Sequence, residues 1–184
     1  MTIWTVSREG AGYRLDSALH SAPCLVGKAG LIAASGKREG DMATPVGDWP
    51  LRHVYYRPDR IALPANAKPA NALPTIPLAP AMGWCDDPEH ASYNMPVELP
   101  FPASHERLWR EDGLYDVIVV LGHNDSPPMP CLGSAVFFHL CEPDTKFTAG
   151  CVAVAKQDMM IFLQTADTGT ILRIADGTEP AETS

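Results

Sequence analysis

The sequence has few positively charged residues, and this limits the kinds of molecule that it can be predicted to bind. Its 184 residues include 14 Lys and Arg against 22 Asp and Glu, so the formal net charge is −8. Nucleic-acid binding needs clustered basic side chains for the phosphates, which argues against nucleic acid as the main partner. No basic amphipathic stretch is present either, so binding to a membrane surface is not predicted.

Long apolar runs are also missing. The longest, from Val117 to Leu121, is much shorter than the roughly 20 residues that an α-helix needs to span a bilayer. Near the start, Arg8, Glu9 and Arg14 interrupt any run that could act as a secretory signal. We therefore predict that the chain stays in the cytoplasm and does not enter a membrane.

Cysteine pairs with metal-binding or redox spacing are absent. The number of cysteines is odd and no CxxC pair occurs, which argues against a disulfide framework, a zinc site and a thiol redox protein. Asp86, Asp87, Glu89 and His90 are polar neighbours in a Pro-rich segment, where a solvated turn is favoured over a metal site. We therefore predict no metal and no cofactor. The cysteines are Cys24, Cys85, Cys131, Cys141 and Cys151.

Proline is abundant and unevenly distributed. Many of the 18 prolines lie between Pro58 and Pro102. Because proline lacks a backbone N–H and fixes φ, this region is predicted to be a long ordered loop excursion with short extended pieces. Long loops on a compact domain often shape a binding site. No internal repeat divides the chain, and its length suits a single domain over residues 1–184.

Short apolar or alternating runs bounded by Gly and Pro predict strands through most of the remaining sequence. Two short helices are predicted, at Ser104–Arg110 and Gln157–Thr165. The predicted fold class is therefore mostly β with short α segments, arranged as a curved β-sandwich or barrel. The predicted strands are Ile3–Ser7, Tyr13–Leu19, Leu31–Ala34, Trp49–Tyr56, Tyr115–Leu121, Ser134–Cys141 and Thr170–Ile174.

The segment from Gly133 to Val154 carries the chemistry. His139 lies near the end of a predicted strand, and Cys151 follows twelve residues later, after a polar loop. A thiolate is the nucleophilic form of cysteine, and a neighbouring imidazole can take the thiol proton and return it to a leaving amine. Gly150 keeps the approach to Cys151 free of a side chain and permits unusual φ values.

The residue types alone leave other interpretations open. Cys151 could be a buried apolar thiol, with His139 a hydrogen-bonded strand residue. Cys141 lies two residues after His139 and shares its strand face, which makes Cys141 a possible rival nucleophile. Cys131 enters the same strand, and neither Cys131 nor Cys141 has a flanking glycine.

Two motifs together resemble the signature of the L,D-transpeptidase catalytic-domain family of the YkuD type. The first reads Gly-Ser-Ala-Val-Phe-Phe-His and ends at His139, and the second reads Thr-Ala-Gly-Cys-Val-Ala around Cys151. The segment Ala43–Gly47 also resembles the family's Thr-Pro-x-Gly turn. The resemblance implies a YkuD-type fold, with Cys151 as nucleophile, His139 as base and Gly150 as part of the catalytic motif.

This sequence departs from the commonest form of the family motif, Ser-His-Gly-Cys. Ala149 stands where that form has a second histidine, and Ala153 stands where it has Arg or Asn. The departure resembles a distinct Thr-Ala-Gly-Cys subgroup. It leaves His139 as the nearby candidate base and puts in doubt any mechanism that uses two imidazoles.

The resemblance implies a peptidoglycan-derived peptide as the partner, either a tetrapeptide stem or a muropeptide. The expected reaction is cleavage of the L,D bond before a terminal D-alanine, through a thioester on Cys151. Because the predicted location is cytoplasmic, we expect hydrolysis, an L,D-carboxypeptidase activity in muropeptide recycling. Transpeptidation that forms cross-links is the alternative, and a catalytically silent muropeptide-binding module is an alternative of another class. The sequence leaves the oligomeric state open.

Six further residues are candidate substrate-binding positions. Thr148 and Ala149 belong to the Cys motif. His123 and Asn124 follow the central strand, where they could bind substrate or orient His139, although a turn that satisfies its own backbone is an alternative. Arg107 and Arg110 could bind a substrate carboxylate through paired N–H donors, although surface solvation is the simpler role.

Overall fold

One large curved sheet forms most of the molecule in a computed structural model that describes residues 2–66 and 69–177. The ends of the predicted domain and two positions of the Pro-rich segment, 67 and 68, lie outside those residues. One α-helix, α1 (Lys156–Thr165), and two 3₁₀ turns, Ala34–Gly36 and Pro69–Asn71, accompany the strands. The strands are β1 (Ile3–Glu9), β2 (Gly12–Asp16), β3 (Ser21–Cys24), β4 (Leu31–Ala33), β5 (Thr44–Tyr56), β6 (Thr75–Pro77), β7 (Met82–Cys85), β8 (Pro96–Glu98), β9 (His105–Arg107), β10 (Val117–Leu121), β11 (Phe137–Leu140), β12 (Val152–Val154) and β13 (Ile171–Ile174).

The large sheet is nearly closed into a barrel. Its strand order is β12-β11-β10-β5-β13-β1-β2-β3, with β4 and β6 also paired to the long strand β5. The two ends of this path meet at Leu25 and Ala153, whose backbones exchange hydrogen bonds of 2.8 and 2.9 Å. This meeting brings the segment after β3 against β12, directly beside Cys151. A separate three-stranded sheet has the order β8-β7-β9.

Alternation along β11 divides its side chains between two clusters. Phe138 and Leu140 belong to the main core, where the ring of Phe162 from α1 packs edge-on against Phe138 at 5.0 Å. Phe137 points to a second cluster that includes Cys151, and its ring packs edge-on against Trp84 of β7 at 5.1 Å. Since successive strand residues face opposite sides of the sheet, His139 shares the face of Phe137.

The predicted fold class is confirmed: the chain is mostly β, with a curved barrel-like sheet and a helix close to the predicted Gln157–Thr165. The predicted helix at Ser104–Arg110 is wrong, because β9 occupies its centre and pairs with β7. A single short helical segment is marginal by itself, whereas the neighbouring strand supplies backbone hydrogen-bond partners. The Pro-rich segment contains β6, β7 and β8 and so contributes two of the three strands of the smaller sheet.

Among the described residues, no helix has the length and the apolar composition that crossing a bilayer requires.

The smaller sheet packs against the large one, because Trp84 of β7 and Phe137 of β11 lie in the same hydrophobic cluster. This shared cluster supports our proposal that the chain is a single domain.

Candidate active site

The loop that carries Cys151 is fixed by hydrogen bonds on both of its sides. The backbone of Thr148 donates to Val26 O at 2.9 Å and accepts from Lys28 N at 3.0 Å, which ties the loop to the segment after β3. The hydroxyls of Thr148 and Thr44 both donate to the carbonyl oxygen of Cys151, at 2.7 and 3.1 Å. The backbone of Cys151 is therefore held by one threonine three residues away in the sequence and by another 107 residues away.

Gly150 has a backbone conformation that disfavours any other residue. Its φ is +138°, and a Cβ at this position would lie 3.0 Å from the carbonyl oxygen of Ala43. Its N–H donates to the hydroxyl of Thr148 at 3.1 Å. Gly150 thus allows the chain to turn tightly before Cys151, as the sequence predicts, while its own N–H is already used within the loop.

The thiol of Cys151 is buried among backbone groups of the segment that leads into β11. Its Sγ donates to Ala135 O at 3.2 Å and accepts the N–H of Phe137 at 3.4 Å. Burial, and secondarily the charge of Glu106, raise the pKa of Cys151 to about 12, against smaller lowering effects of the Phe137 N–H and Lys37. The resting thiol is therefore protonated at neutral pH.

His139 is buried on β11, one side-chain position beyond Phe137 on the same face. Its Nδ1 donates to Leu140 O at 2.7 Å, and its ring packs edge-on against Tyr115 with centroids 5.1 Å apart. Burial lowers the pKa of His139 to about 4, so the imidazole is neutral at pH 7. Within the described part of the chain, no hydrogen bond joins this imidazole to Cys151.

A cleft of about 100 Å³ opens beside Cys151. Three carboxylic side chains line it, those of Glu39, Asp86 and Glu106, together with the ammonium-bearing side chain of Lys37. Ala149, Gly150, Ser134 and Ala135 also belong to its walls. The cleft therefore combines a thiol, a glycine-lined approach and charges of both signs, which is a suitable setting for a polar peptide ligand.

Glu106 and Tyr115 form a hydrogen-bonded pair next to the sulfur. The hydroxyl of Tyr115 donates to Oε2 of Glu106 at 2.6 Å. Burial raises the pKa of Glu106 despite that hydrogen bond, and burial likewise raises the pKa of Tyr115, with the nearby Cys151 as the next cause. The ring of Tyr115 thus contacts His139 while its hydroxyl contacts a wall of the cleft.

Glu39 is held in the cleft wall from the other side. It accepts hydrogen bonds from Ser134 Oγ at 2.8 Å and from the hydroxyl of Tyr93. Asp86 follows β7, and its Oδ1 is buried without a hydrogen-bond partner among the described residues. The carboxylates therefore come from three separate segments that the fold brings together.

The two predicted substrate-binding residues of the Cys motif have different positions. Ala149 is exposed in the cleft wall, where it can contact a ligand. Thr148 is buried, and its hydroxyl is used between Cys151 O and Gly150 N. The role of Ala149 in substrate binding stays a prediction, whereas the Thr148 hydroxyl fixes the shape of the loop.

His123 and Asn124 lie outside the cleft walls. The ring of His123 is buried edge-on against Trp49 at 4.8 Å, and its Nε2 lies 3.0 Å from Leu132 O. The side chain of Asn124 donates to the carbonyls of Met129 and Gly133, at 3.0 and 2.9 Å. Neither residue contacts His139, and Asn124 satisfies the backbone of its own loop, the alternative that its sequence position left open.

The two predicted arginines also lie away from the cleft walls. Arg107 is exposed on β9, and strand alternation turns it away from the cleft that its neighbour Glu106 lines. Arg110 forms an ion pair with Asp112 at 2.5 Å and lies 4.9 Å from the centre of the Tyr115 ring. The structure therefore does not bring either guanidinium to Cys151.

The rival cysteine Cys141 belongs to a different surface. Together with Cys24 it lines a groove of about 320 Å³ next to the start of α1. No cluster of metal-ligating side chains occurs in residues 2–66 and 69–177.

Thr44, Asp86 and Glu106 are among the residues of the site that sequence reasoning missed. Glu106 was hidden by the wrong helix prediction, and Asp86 by its place in a polar turn. Thr44 lies in the Thr-Pro-Val-Gly segment, so the motif pointed to its importance without showing that its hydroxyl binds Cys151 O.

One comparison with known protein families identifies the family of this chain. The family model described as the L,D-transpeptidase catalytic domain, YkuD, matches residues 5–174. Among solved structures, L,D-transpeptidase 3 of Mycobacterium tuberculosis matches 95% of this chain and 61% of its own, with 10% identity and a TM-score of 0.47. L,D-transpeptidase 1 of the same organism matches 94% of this chain and 60% of its own, with 11% identity and a TM-score of 0.39.

A third solved structure, an L,D-transpeptidase from Mycobacterium smegmatis, matches 95% of this chain and 58% of its own, with 12% identity and a TM-score of 0.40. The chain thus spans about three fifths of the length of these structures. No curated protein sequence matches the chain significantly.

Proposed function

This chain belongs to the L,D-transpeptidase catalytic domain (YkuD) family, and from that membership we propose that it is a cysteine-dependent acyltransferase acting on stem peptides of peptidoglycan. Its proposed partner is a tetrapeptide stem or muropeptide, and Cys151 is the proposed nucleophile. The reaction cleaves the L,D bond before a terminal D-alanine through a thioester.

The observation that carries this proposal is the place of Cys151. Of the five cysteines, Cys151 is the one that lines the cleft. The walls of this cleft also contain three carboxylic side chains and one ammonium group. Its backbone carbonyl is held by two threonine hydroxyls, and the preceding glycine leaves the approach open. Preorganisation of this kind is expected of a reacting group and is not needed by a packing thiol.

His139 is the proposed base. Its neutral ring can accept a proton at pH 7, and it lies on the strand that borders the Cys151 loop. In the proposed step the Cys151 proton passes to the imidazole as sulfur bonds to the peptide carbonyl carbon. The proton then passes to the amine of the departing D-alanine as the C–N bond breaks. Catalytic hydrogen bonds are often long or poorly aligned before substrate binds, and movement of the His139 ring on binding is part of the proposal.

Hydrolysis of the thioester by water is the favoured outcome. The cleft of about 100 Å³ beside Cys151 has room for water, which can attack the thioester carbonyl once D-alanine has left. The product would be a tripeptide, as in trimming of muropeptides during recycling. Transfer to an amine, which forms a cross-link, is the alternative.

One observation favours a catalytically silent muropeptide-binding module as a second candidate. Burial raises the pKa of both Cys151 and Cys24 to about 12, so the candidate nucleophile has no advantage in thiolate content at rest. A silent module predicts that an alkylating agent labels the two cysteines at equal rates. The acyltransferase proposal predicts faster labelling of Cys151, because its proposed base His139 can take the thiol proton.

The deciding experiment is incubation of the purified protein with a muropeptide whose tetrapeptide stem ends in D-alanine. Loss of D-alanine in the mass spectrum supports hydrolysis, and a peptide-linked dimer supports transfer. A Cys151→Ala variant is the control and should give neither product. Absence of both products with the wild-type protein, together with equal labelling of Cys151 and Cys24, would overturn the acyltransferase in favour of the silent module.

A further inference from the structure

Lys37 is buried in the wall of the cleft, next to the loop that carries Cys151. Only 4% of its surface is exposed. A Cβ at Gly133 would lie 2.9 Å from its Cε, and a Cβ at Gly150 would lie 3.5 Å from its Nζ. Both glycines have positive φ. The lysine side chain therefore occupies a channel between two glycines, with its ammonium group beside the residue that precedes Cys151.

The ammonium group is held in place by an ionised partner. Nζ donates to Asp41 Oδ1 at 2.5 Å and to Arg38 O at 3.2 Å. Asp41 also accepts the N–H groups of Arg38 and Ala43, at 2.8 and 2.9 Å. Burial alone would raise the pKa of Asp41, but these hydrogen bonds outweigh it and the pKa lies below its ordinary value. Asp41 therefore fixes the direction of the Lys37 ammonium.

One of the three N–H donors of Lys37 is left for a ligand. An ammonium has three donors, and the described residues supply two acceptors, Asp41 and Arg38. The sulfur of Cys151 is not a third acceptor, because its hydrogen bonds go to Ala135 and Phe137. The remaining donor is available to an oxygen atom in the cleft.

The charges of the cleft decide which oxygen. Among the described side chains of its walls, Lys37 is the cationic one, while Glu39, Asp86 and Glu106 are carboxylic. An anion placed near the carboxylates would be repelled, whereas one placed near Lys37 gains a charge-assisted hydrogen bond. The position beside Gly150 is therefore where a carboxylate in this cleft is most stable.

We propose that Lys37 Nζ binds the terminal carboxylate of the donor peptide, on the residue that leaves when Cys151 attacks. This inference rests on the proposed function. In such a peptide the terminal carboxylate carbon is three covalent bonds from the carbonyl carbon that sulfur attacks. An ammonium beside Gly150, one residue from Cys151, matches that short separation. Lys37 thereby makes the enzyme select peptides that end directly after the scissile bond.

The test compares a tetrapeptide that has a free terminal carboxylate with the same peptide as its terminal amide. For the wild-type protein we expect kcat/KM to favour the acid by about 10- to 100-fold, the usual value of one hydrogen bond to a charged group. In Lys37→Met we expect the ratio of acid to amide to fall close to one, mainly through KM. Lys37→Arg should retain part of the preference, and Lys156→Met, which removes an exposed charge, should leave the ratio unchanged.

The ratio is measured within one preparation, so a partly unfolded variant does not distort it. Equal loss on both peptides in Lys37→Met would overturn the inference, and so would an unchanged ratio. A changed pH midpoint for alkylation of Cys151 with an unchanged ratio would instead assign Lys37 to the sulfur and also overturn it.

A binding measurement separates this inference from the proposed function. Calorimetry with Cys151→Ala compares the acid and the amide without turnover, and Lys37→Met in that background should remove the preference. Absence of turnover by the wild-type protein would contradict the proposed function while the calorimetric preference still decides the role of Lys37. Equal binding of the two peptides by Cys151→Ala would overturn the inference alone.

Discussion

The hydroxyls of Thr44 and Thr148 both donate to Cys151 O, so the costs of losing these two hydrogen bonds should not be additive. Thr148→Val removes the hydrogen bond to Cys151 O and leaves the buried N–H of Gly150 without its acceptor. Thr44→Val removes the other hydrogen bond to Cys151 O and the acceptor for the N–H of Gly27. Each lost hydrogen bond costs about 1 kcal/mol and each unpaired buried group about 1–3 kcal/mol, so each substitution should cost about 2–4 kcal/mol.

The double variant distinguishes a shared acceptor from two unrelated hydrogen bonds. In either single variant, Cys151 O keeps one donor, so its carbonyl remains satisfied. In the double variant that buried carbonyl has lost both threonine donors, which should add about 1–2 kcal/mol beyond the sum of the single costs. The free energies come from urea unfolding, with the rate of Cys151 alkylation measured in parallel.

Thr165→Val is the matched control, because the Thr165 hydroxyl donates at 3.2 Å to a carbonyl of its own helix, that of Phe162. It should change stability by less than about 0.5 kcal/mol and leave alkylation of Cys151 unchanged. Costs of Thr44→Val and Thr148→Val that add within about 0.3–0.5 kcal/mol would refute the shared acceptor.

Three further predictions concern Gly150, His139 and Glu106. Gly150→Ala should destabilise the protein by about 1–3 kcal/mol in urea unfolding, because its φ of +138° and the 3.0 Å approach to Ala43 O both oppose a Cβ; a change below about 0.3 kcal/mol would contradict this. The folded-state pKa of His139 is about 4 against an ordinary 6.5, so the unfolded chain binds the proton first on acidification, and stability should fall between pH 6.5 and 4 by up to about 1.4 kcal/mol per pH unit. His139→Asn should reduce that slope, and an identical slope in the variant would count against the assignment. Glu106→Gln should lower the pH midpoint of Cys151 alkylation, because the Glu106 charge helps to raise the thiol pKa. Glu98→Gln, at an exposed strand position, is the control and should leave the midpoint unchanged. An equal midpoint in the two variants would argue against an effect of the Glu106 charge on the sulfur.

Apolar patterns within single segments predicted a central strand and the main helix of the fold. Tyr115–Leu121 was predicted as a central strand from its apolar run, and β10 occupies Val117–Leu121 with every residue buried. The helix at Gln157–Thr165 followed from its apolar face, and Met159 and Phe162 are indeed buried. In these segments most of the buried residues are ones that the local apolar pattern marks.

Segments that depend on a distant partner were not predictable in the same way. Residues 105–107 form a strand because β7 lies beside them, and no local property of His105 or Glu106 reports that neighbour. The cleft shows the same limit, since Lys37, Asp86 and Glu106 come from three different segments. The Cys motif, by contrast, was readable because Thr148, Gly150 and Cys151 interact within four consecutive residues.

Among the described residues no hydrogen bond joins His139 to Cys151, and this observation bears most on mechanism. The spacing along the chain predicts a thiol paired with an imidazole. In the structure, His139 lies one side-chain position beyond Phe137 on the same face of β11, and its Nδ1 donates to Leu140 O. Sequence separation cannot report register, because a shift of two residues along a strand keeps the same face.

The central claim is that Cys151 forms the thioester, and trapping that intermediate tests it most directly. The protein is mixed with a tetrapeptide stem ending in D-alanine, quenched in acid within seconds, digested and read by mass spectrometry. We predict a tripeptide acyl group on the peptide that contains Cys151, and none in Cys151→Ala. An acyl group on Cys141 or Cys24, or release of D-alanine by Cys151→Ala at the wild-type rate, would contradict the account.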